Sequence, residues 1–307
     1  MAKVILAVSG GVDSMVMLDL IAKHYSSDDI IVAHFNHGIR IDSDRDADFV
    51  AKISKEIYHI RYIIGRGNLG ANASEETARI ARYNFLRQIA TKNANAPIYT
   101  AHHLDDLVET IIINHLRGTG WRGLAVLDSP GINRPLLGTK IVYEPMDKAA
   151  IMEYAARRGL HWREDSTNSS DQYLRNRIRT RLTESKYTNY DTTNNARSRS
   201  ALDFEQKLQL WQLWQRQKEL KHETGTLIQS LIPEPGARWQ RSWFKKLDQN
   251  IAIELLRAGT LEANIRATRP QLEAFRQAIL NYAPGKHFNL PGGKLVRINK
   301  TDFIISP

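Results

Sequence analysis

The sequence predicts an α/β fold: a doubly wound parallel sheet, then a connecting helix and a smaller mixed α+β C-terminal domain. Three observations carry this expectation. Short continuous apolar runs, of the kind buried on both faces of a parallel sheet, recur at residues 4–8, 30–33, 62–64 and 98–101. Stretches with apolar residues at helical spacing alternate with them, as βαβ units require. Residues 9–14, 34–40 and 102–106 follow strand ends as polar or glycine-containing segments. A sheet of this topology gathers its strand ends into one crevice.

The first run opens KVILAVSGGVDS. Val4 to Val8 read as a buried strand that stops at Ser9-Gly10-Gly11, and Asp13-Ser14 opens a helix carried by Val16, Met17, Leu18, Leu20 and Ile21. Strand, glycine turn and helix N-terminus together form an anion site, because glycine lets the backbone approach closely and the free N–H groups favour phosphate oxygens. No Lys follows these glycines, so the segment is not a Walker loop, and the dinucleotide pattern GxGxxG is absent.

Further along, Ile30-Ile31-Val32-Ala33 is the second strand, and Ala47, Val50, Ile53 and Ile57 mark a helix over residues 44–58. Tyr62-Ile63-Ile64 is the third strand, followed by a glycine-rich loop over 65–70. Ser74 N-caps the next helix, with Glu75 and Glu76 in its first turn and Ile80, Tyr83, Leu86 and Ile89 along it. Residues 98–101 give the fourth strand, a helix begins near Leu104, and residues 141–145 are a candidate last strand. Asp147 N-caps a helix through Ile151, Tyr154 and Ala155 that stops at Gly159. Residues 186–200, nearly all Asn, Thr, Ser and Arg, read as a mobile connection. An amphipathic helix over 202–223 follows, with Phe204, Leu208, Trp211 and Leu213 or Trp214. Short β-like pieces at 287–290, 295–298 and 303–305 surround the turn Pro291-Gly292-Gly293. The expected domains are 1–200, a linker helix 201–222, and 223–307.

With 307 residues, 42% hydrophobic and 25% charged, the chain has ample material for a core. It contains no cysteine, which excludes disulfides, thiolate metal sites, iron–sulfur clusters and a cysteine nucleophile. Its net charge of +10 suits a polyanionic partner such as nucleic acid, or a merely basic surface. No apolar run approaches a membrane span and the N-terminal run is too short for a signal peptide, so a cytoplasmic protein is expected.

Three clusters carry candidate chemistry. Asp105 and Asp106 lie four and three residues before Glu109 in the first turns of a helix, where the three hold Mg²⁺ against phosphates, bind an ammonium group, or compensate the helix dipole. Arg79 and Arg82 are three apart on their helix and either reach an anion or stay solvated. Arg175, Arg177, Arg179 and Arg181 fan around a third helix, open to anion contact, carboxylate pairing or simple solvation.

Six blocks, SGGVDS, NHGIR, ARIARYNFL, HHLDDLVET, LRGTGWRGL and EDSTN…YLRNRIR, resemble in order and spacing the tRNA(Ile)-lysidine synthetases, within the PP-loop (N-type) ATP pyrophosphatases. They span about residues 4–182. Past 200 the likeness rests on overall length and the closing LPGGKLVR.

The resemblance implies a Rossmann-like PP-loop ATPase. ATP adenylates the C2 oxygen of the wobble cytidine of a CAU-anticodon tRNA(Ile), pyrophosphate leaves, and the ε-amine of free lysine displaces AMP to give lysidine. It implies ATP contacts from Ser9, Gly10, Gly11, Val12, Asp13, Ser14, His37 and Arg79, with Asp13 helping to position Mg²⁺. His102, Asp105, Asp106 and Glu109 are then the catalytic or lysine-binding set. Arg82, Arg175, Arg177 and Arg179 contact tRNA or phosphate. Leu107 stands where the family commonly has Gln, which removes any hydrogen bond that amide makes in the site.

Related readings are weaker. PP-loop enzymes that thiolate tRNA usually depend on cysteines, which this chain lacks, and small-molecule amidotransferases or synthetases of the family have no need of the RNRIR block. A non-catalytic RNA-binding protein on the same scaffold would not require Ser9, Asp13, Ser14, Asp105, Asp106 and Glu109 to be intact.

Overall fold

Val4–Ala7 forms β1 at the centre of a parallel sheet, and its side chains explain why an unbroken apolar run was needed. Val4 and Leu6 enter the core on one face, while Ile5 enters the core on the other. Residues 3–38, 43–67, 69–70, 73–163, 202–234 and 236–306 are described by the computed structural model. Among them the chain divides into two compact units, Met1–Lys218 and Glu219–Pro307.

In the first unit the order is β1, α1 (Val12–Ala22), β2 (Ile30–Asn36), α2 (Ser43–Lys52), β3 (Arg61–Arg66), α3 (Glu75–Lys92), β4 (Ile98–Tyr99), α4 (Leu104–Leu116), β5 (Ile132–Asn133) and α5 (Lys148–Arg157). The sheet order is β3-β2-β1-β4-β5, with every pairing parallel. Chain direction along the sheet reverses between β1 and β4, which opens a crevice at their carboxyl ends. Buried residues of α1, α2 and α5 pack on one face, and Tyr83, Leu86 and Ile89 of α3 on the other.

Local chemistry sets several boundaries. Ser74 Oγ accepts from Thr77 N at 3.1 Å, capping α3. Asp147 Oδ1 accepts from Ala150 N at 3.0 Å, capping α5, which ends before Gly159 at φ +61°. Gly65 lies within β3, where a Cβ would stand 2.6 Å from the Phe85 ring.

Three expectations are corrected. The helix over 44–58 changes to a π turn at Ile53–Ile57, and the altered winding leaves Ile57 exposed while Ala47, Val50 and Ile53 are buried. The fifth strand is Ile132–Asn133, not residues 141–145; the latter form bends, and Tyr143 is 84% exposed. The connecting helix, α6, runs Phe204–Leu231, past the expected end at 223. Its glycine, Gly225, meets nothing where a Cβ would be.

The second unit holds an antiparallel sheet of β6 (Arg238–Gln240), β7 (Lys286–Leu290), β8 (Lys294–Ile298) and β9 (Asp302–Ile304), in the order β6-β9-β8-β7. Helices α7 (Arg241–Phe244), α8 (Gln249–Glu262) and α9 (Arg269–Asn281) accompany it. Phe244, Phe275, Phe303 and Trp239 form the aromatic centre of its core, with the Trp239 and Phe303 rings stacked at 5.6 Å. Buried Arg241 donates to the carbonyls of Ile279, Asn299 and Tyr282 at 2.6, 2.9 and 2.7 Å, satisfying three loop and helix-end acceptors at once. No helix among the described residues is long and apolar enough to cross a membrane.

Candidate active site

Gly10 adopts φ +95° directly after β1, and Gly11 caps α1 with no side chain over the helix end. The first N–H groups of α1, which have no intrahelical acceptors, therefore face the crevice uncovered. The loop is braced from inside. Ser14 Oγ accepts from Ser9 N and Gly10 N at 3.2 and 3.1 Å and donates to Gly11 O at 2.8 Å. Gly10 O accepts from Arg163 N at 2.9 Å, and the Arg163 side chain pairs with Asp46 of α2. Uncovered amides on a braced glycine turn fit a phosphate chain.

Opposite this loop, α4 begins at the end of β4. His103 N donates to Asp106 Oδ2 at 3.1 Å. The buried His103 ring draws the loop and helix together: its Nε2 lies 4.0 Å from Asp13 Oδ2 and 3.6 Å from Asp106 Oδ2, and its Nδ1 lies 3.5 Å from Asp105 Oδ2. Burial lowers the affinity of this imidazole for a proton, but the Asp105, Asp106 and Asp13 carboxylates outweigh it and raise its pKa above the usual histidine value.

His102 behaves oppositely. Burial pushes its pKa well below the usual value; Asp106 opposes this, while Arg134, Arg82 and Arg79 reinforce it. The His102 Nδ1 sits 3.0 Å from Thr100 Oγ1.

Three lysine and aspartate residues absent from the expected site are bonded into it. Lys148, the first residue of α5, places Nζ 2.6 Å from Asp13 Oδ1 and donates its backbone N–H to Asp105 Oδ2 at 2.8 Å. Lys207 of α6 bridges Asp105 Oδ1 at 2.7 Å and Asp147 Oδ2 at 3.0 Å. Burial raises the Asp105 pKa, but the nearby His103 ring and hydrogen bonds from Lys207 and the Lys148 amide overcome it and hold the carboxyl well below the usual range. Both Asp105 oxygens are thus engaged with the protein itself. No sequence pattern marks Lys207 as a partner of Asp105; only Asp147 carried a local signal, as an N-cap.

The expected residues therefore separate. Ser9, Gly10, Gly11, Val12, Asp13 and Ser14 form one wall, and Asp105 and Asp106 meet it through His103. Glu109 is buried one turn further along α4. Half-buried His37 follows β2, its ring 5.0 Å from Phe35. Arg79 and Arg82 belong to a separate cluster around Tyr83, with guanidinium-to-ring distances of 5.0 and 5.5 Å. Arg175, Arg177, Arg179 and the expected connection over 186–200 lie outside the described residues. Leu107 is fully buried among Leu104, Ile111, Val126, Leu137 and Trp214, so this position faces an apolar cluster and not the crevice. Its departure from the family's usual residue concerns packing under α6. Among the described residues no group of three or more His, Asp or Glu side chains assembles a metal site.

The chain is 29% identical over 311 residues to the tRNA(Ile)-lysidine synthase of Haemophilus ducreyi, covering 98% of this chain and 68% of that one. It is 37% identical over 192 residues to the tRNA(Ile)-lysidine synthase of Pseudothermotoga lettingae, covering 59% and 41%. It is 34% identical over 193 residues to the bifunctional protein TilS/HprT of Listeria innocua, covering 59% and 29%. The chain thus spans less than half the length of the last two relatives. Among solved structures, the U34-tRNA thiolase NcsA of Methanococcus maripaludis shares the fold, with a TM-score of 0.53 at 19% identity over 71% of this chain and 72% of that one. The family model described as the PP-loop domain matches residues 1–186, so the chain belongs to the PP-loop domain family.

Proposed function

We propose that this protein uses ATP to join lysine to C2 of the wobble cytidine of CAU-anticodon tRNA(Ile), forming lysidine. The observation that carries this reading is the approach of Asp13 on the glycine loop to the Asp105–Asp106 helix end, bridged by His103 at 4.0 and 3.6 Å. It supports a phosphate site and an acidic site on opposite walls of one crevice, as a reaction joining an adenylated base to an amine requires.

In this reading the uncovered amides of α1 hold the β and γ phosphates while the cytidine C2 oxygen attacks the α phosphate, releasing pyrophosphate. The lysine ε-amine then attacks C2 and AMP departs with the former C2 oxygen. The amine must lose a proton to become nucleophilic, and Asp105, Asp106 and Glu109 of α4 are the candidates to hold the ammonium and accept that proton. His102, kept neutral by burial, lines the same strand end. His37 and Arg79 are assigned to ATP, and Arg82, Arg175, Arg177 and Arg179 to tRNA or phosphate. Asp13 is the residue that would hold Mg²⁺ together with phosphate oxygens, and the ion would neutralise charge on the phosphates.

The test combines the purified chain with ATP, Mg²⁺, radiolabelled lysine and an isoleucine tRNA transcript carrying CAU, with a methionine CAU tRNA as control. The expected result is ATP-dependent lysine incorporation into the isoleucine tRNA alone, abolished by Asp13→Ala with tRNA affinity mostly kept. Cleavage of ATP to AMP and pyrophosphate without lysine incorporation would assign the PP-loop to a different acceptor.

A further inference from the structure

The arginines set apart from the acidic crevice surround a buried centre whose polar groups are only partly satisfied. Tyr83 of α3 is 6% exposed, and the guanidiniums of Arg79, Arg82 and Arg87 lie 5.0, 5.5 and 5.8 Å from its ring centroid. Its buried hydroxyl faces the Arg134 guanidinium but makes no hydrogen bond of good geometry among the described residues. Nε of Arg134, a residue 8% exposed that follows β5 directly, has no hydrogen-bond partner among the described residues. Arg134 Nη1 makes one long contact, 3.4 Å to Ile132 O. Burial and the Arg79 charge lower the proton affinity of the Arg134 guanidinium, with Tyr83 and Asp128 opposing them. A buried guanidinium with so few good hydrogen bonds is costly to keep charged, and an anionic ligand would relieve that cost.

The place of Arg134 in the sheet says where that counter-charge would enter. β4 and β5 are paired in register, Tyr99 opposite Asn133, and Thr100 N donates to Asn133 O at 2.9 Å. His102 and Arg134 therefore leave neighbouring strands at the same carboxyl edge, the edge that binds ligands in such sheets. The depressed pKa of His102 agrees with this, since after burial the positive charges of Arg134, Arg82 and Arg79 act on it against Asp106. An open cleft lined by Arg79, Tyr83, Asn84 and Arg87, with Glu76 at its side, leads along α3.

We propose that Arg134 and Arg79 form a phosphate-binding subsite beside His102, distinct from the glycine loop. A guanidinium fork matches two phosphate oxygens at once, and an edge carrying Arg79, Arg82, Arg87 and Arg134 favours an anion over a cation. The subsite deepens the proposed function, and rests on its assignment of phosphate-bearing substrates; the phosphate comes from ATP or from the RNA backbone.

The experiment measures binding of ATP, pyrophosphate and an anticodon stem-loop RNA carrying CAU to the full chain, in wild type, Arg134→Lys and Arg79→Gln, alongside thermal unfolding. Lysine at 134 keeps the charge and loses the fork; Arg79 is only half-buried, so its variant reports even where Arg134→Lys unfolds. The expected result is a loss of about tenfold in affinity for one phosphate ligand, shared by both variants. Loss in the ATP and pyrophosphate arms identifies the nucleotide as the source, and loss in the RNA arm identifies the backbone, with the Arg79→Gln salt slope reduced by about 1. Unchanged affinity for all three ligands in folded variants overturns the proposal. Phosphate binding that depends on Arg134 in a protein that incorporates no lysine would remove the proposed reaction and leave the subsite standing.

Discussion

Lys207 Nζ lies 2.7 Å from Asp105 Oδ1, joining α6 to the N-terminus of α4 across 102 residues of sequence. The same ammonium reaches Asp147 at 3.0 Å, so one charge from α6 secures the starts of both α4 and α5. Trp211 Nε1 donating to Leu137 O at 2.6 Å and Trp214 Nε1 donating to Val126 O at 2.7 Å fasten the next turns of the helix. Neither lysine nor the two aspartates are more than about a quarter exposed, at 18%, 24% and 11%, so the cluster is shielded from full solvent screening.

Lys207→Ala should therefore destabilise the first unit by about 2 kcal/mol, because two charge-assisted hydrogen bonds are lost and two carboxylates stay partly buried. Urea unfolding of the full chain measures this. Lys207→Met keeps the aliphatic stem and should lose a similar amount, which separates the charge from packing. Equal stability of Lys207→Met and wild type would show that the ion cluster contributes nothing.

Acid should weaken the packing of α1 on α5 through Asp19. Burial raises the pKa of this carboxyl, but hydrogen bonds from Lys23, Tyr154 and Arg158 outweigh it and lower it to about 2. A folded pKa below the unfolded value of 3.8 means the stabilisation is complete above pH 4 and is lost as pH falls toward 2. The difference amounts to about 2 kcal/mol. Asp19→Asn should lose that stability at neutral pH and show a shallower fall in melting temperature between pH 4 and pH 2. Parallel acid limbs in wild type and variant would refute it.

How far the sequence reveals such contacts depends on their range. The SGGVDS turn, the Ser74 and Asp147 caps and the stop at Gly159 were legible because each is set by a few neighbouring residues. The acidic helix start was legible for the same reason. Lys207 and Lys148 were not, since their partners are fixed by tertiary packing and a lysine on a helix carries no mark of where its Nζ will rest. Ile57 misled because a five-residue π turn changes the winding without changing the apolar spacing. The apolar residues 141–143 resembled a strand more than Ile132–Asn133 does, yet a two-residue strand at a sheet edge needs only its backbone partners, Ile98 and Tyr99. Leu107 looked like a gap in the site until its burial under Trp214 placed it on the opposite face of α4.

The adjacent imidazoles His102 and His103 should titrate in opposite directions. His103 is raised above the usual value by Asp105, Asp106 and Asp13 against its burial, and His102 is lowered by burial, with the neighbouring arginines adding to it. The stabilisation from protonated His103 is then complete below the unfolded pKa of 6.5 and is lost as pH rises through its higher folded value. Nitrogen-resolved NMR of the histidine rings should show one midpoint above 6.5 and one well below it. In Asp106→Asn both midpoints should fall, as that carboxylate raises both rings. Two midpoints near the ordinary value would remove the electrostatic distinction between the residues.

Gly10→Ala tests whether the glycine loop is shaped for a ligand or merely tolerated. Gly10 sits at φ +95°, where an L side chain is strained, and its new Cβ would lie 3.4 Å from Val50 Cγ2 and 3.5 Å from Phe49 Cδ1. Those contacts are ordinary packing distances, so the penalty comes from the backbone, at about 1–3 kcal/mol. The chain can relieve it by rotating the turn, but Gly10 N and Gly10 O are bonded to Ser14 Oγ and to Arg163 N, and rotation breaks both. Either way the first amides of α1 lose their common direction. ATP affinity should fall by at least about tenfold, more than the change in melting temperature alone would produce, while tRNA affinity is kept. Calorimetric titration with ATP beside a filter-binding assay with tRNA separates the two effects. A variant that melts lower but binds ATP as wild type does would mean that the phosphate chain is held elsewhere.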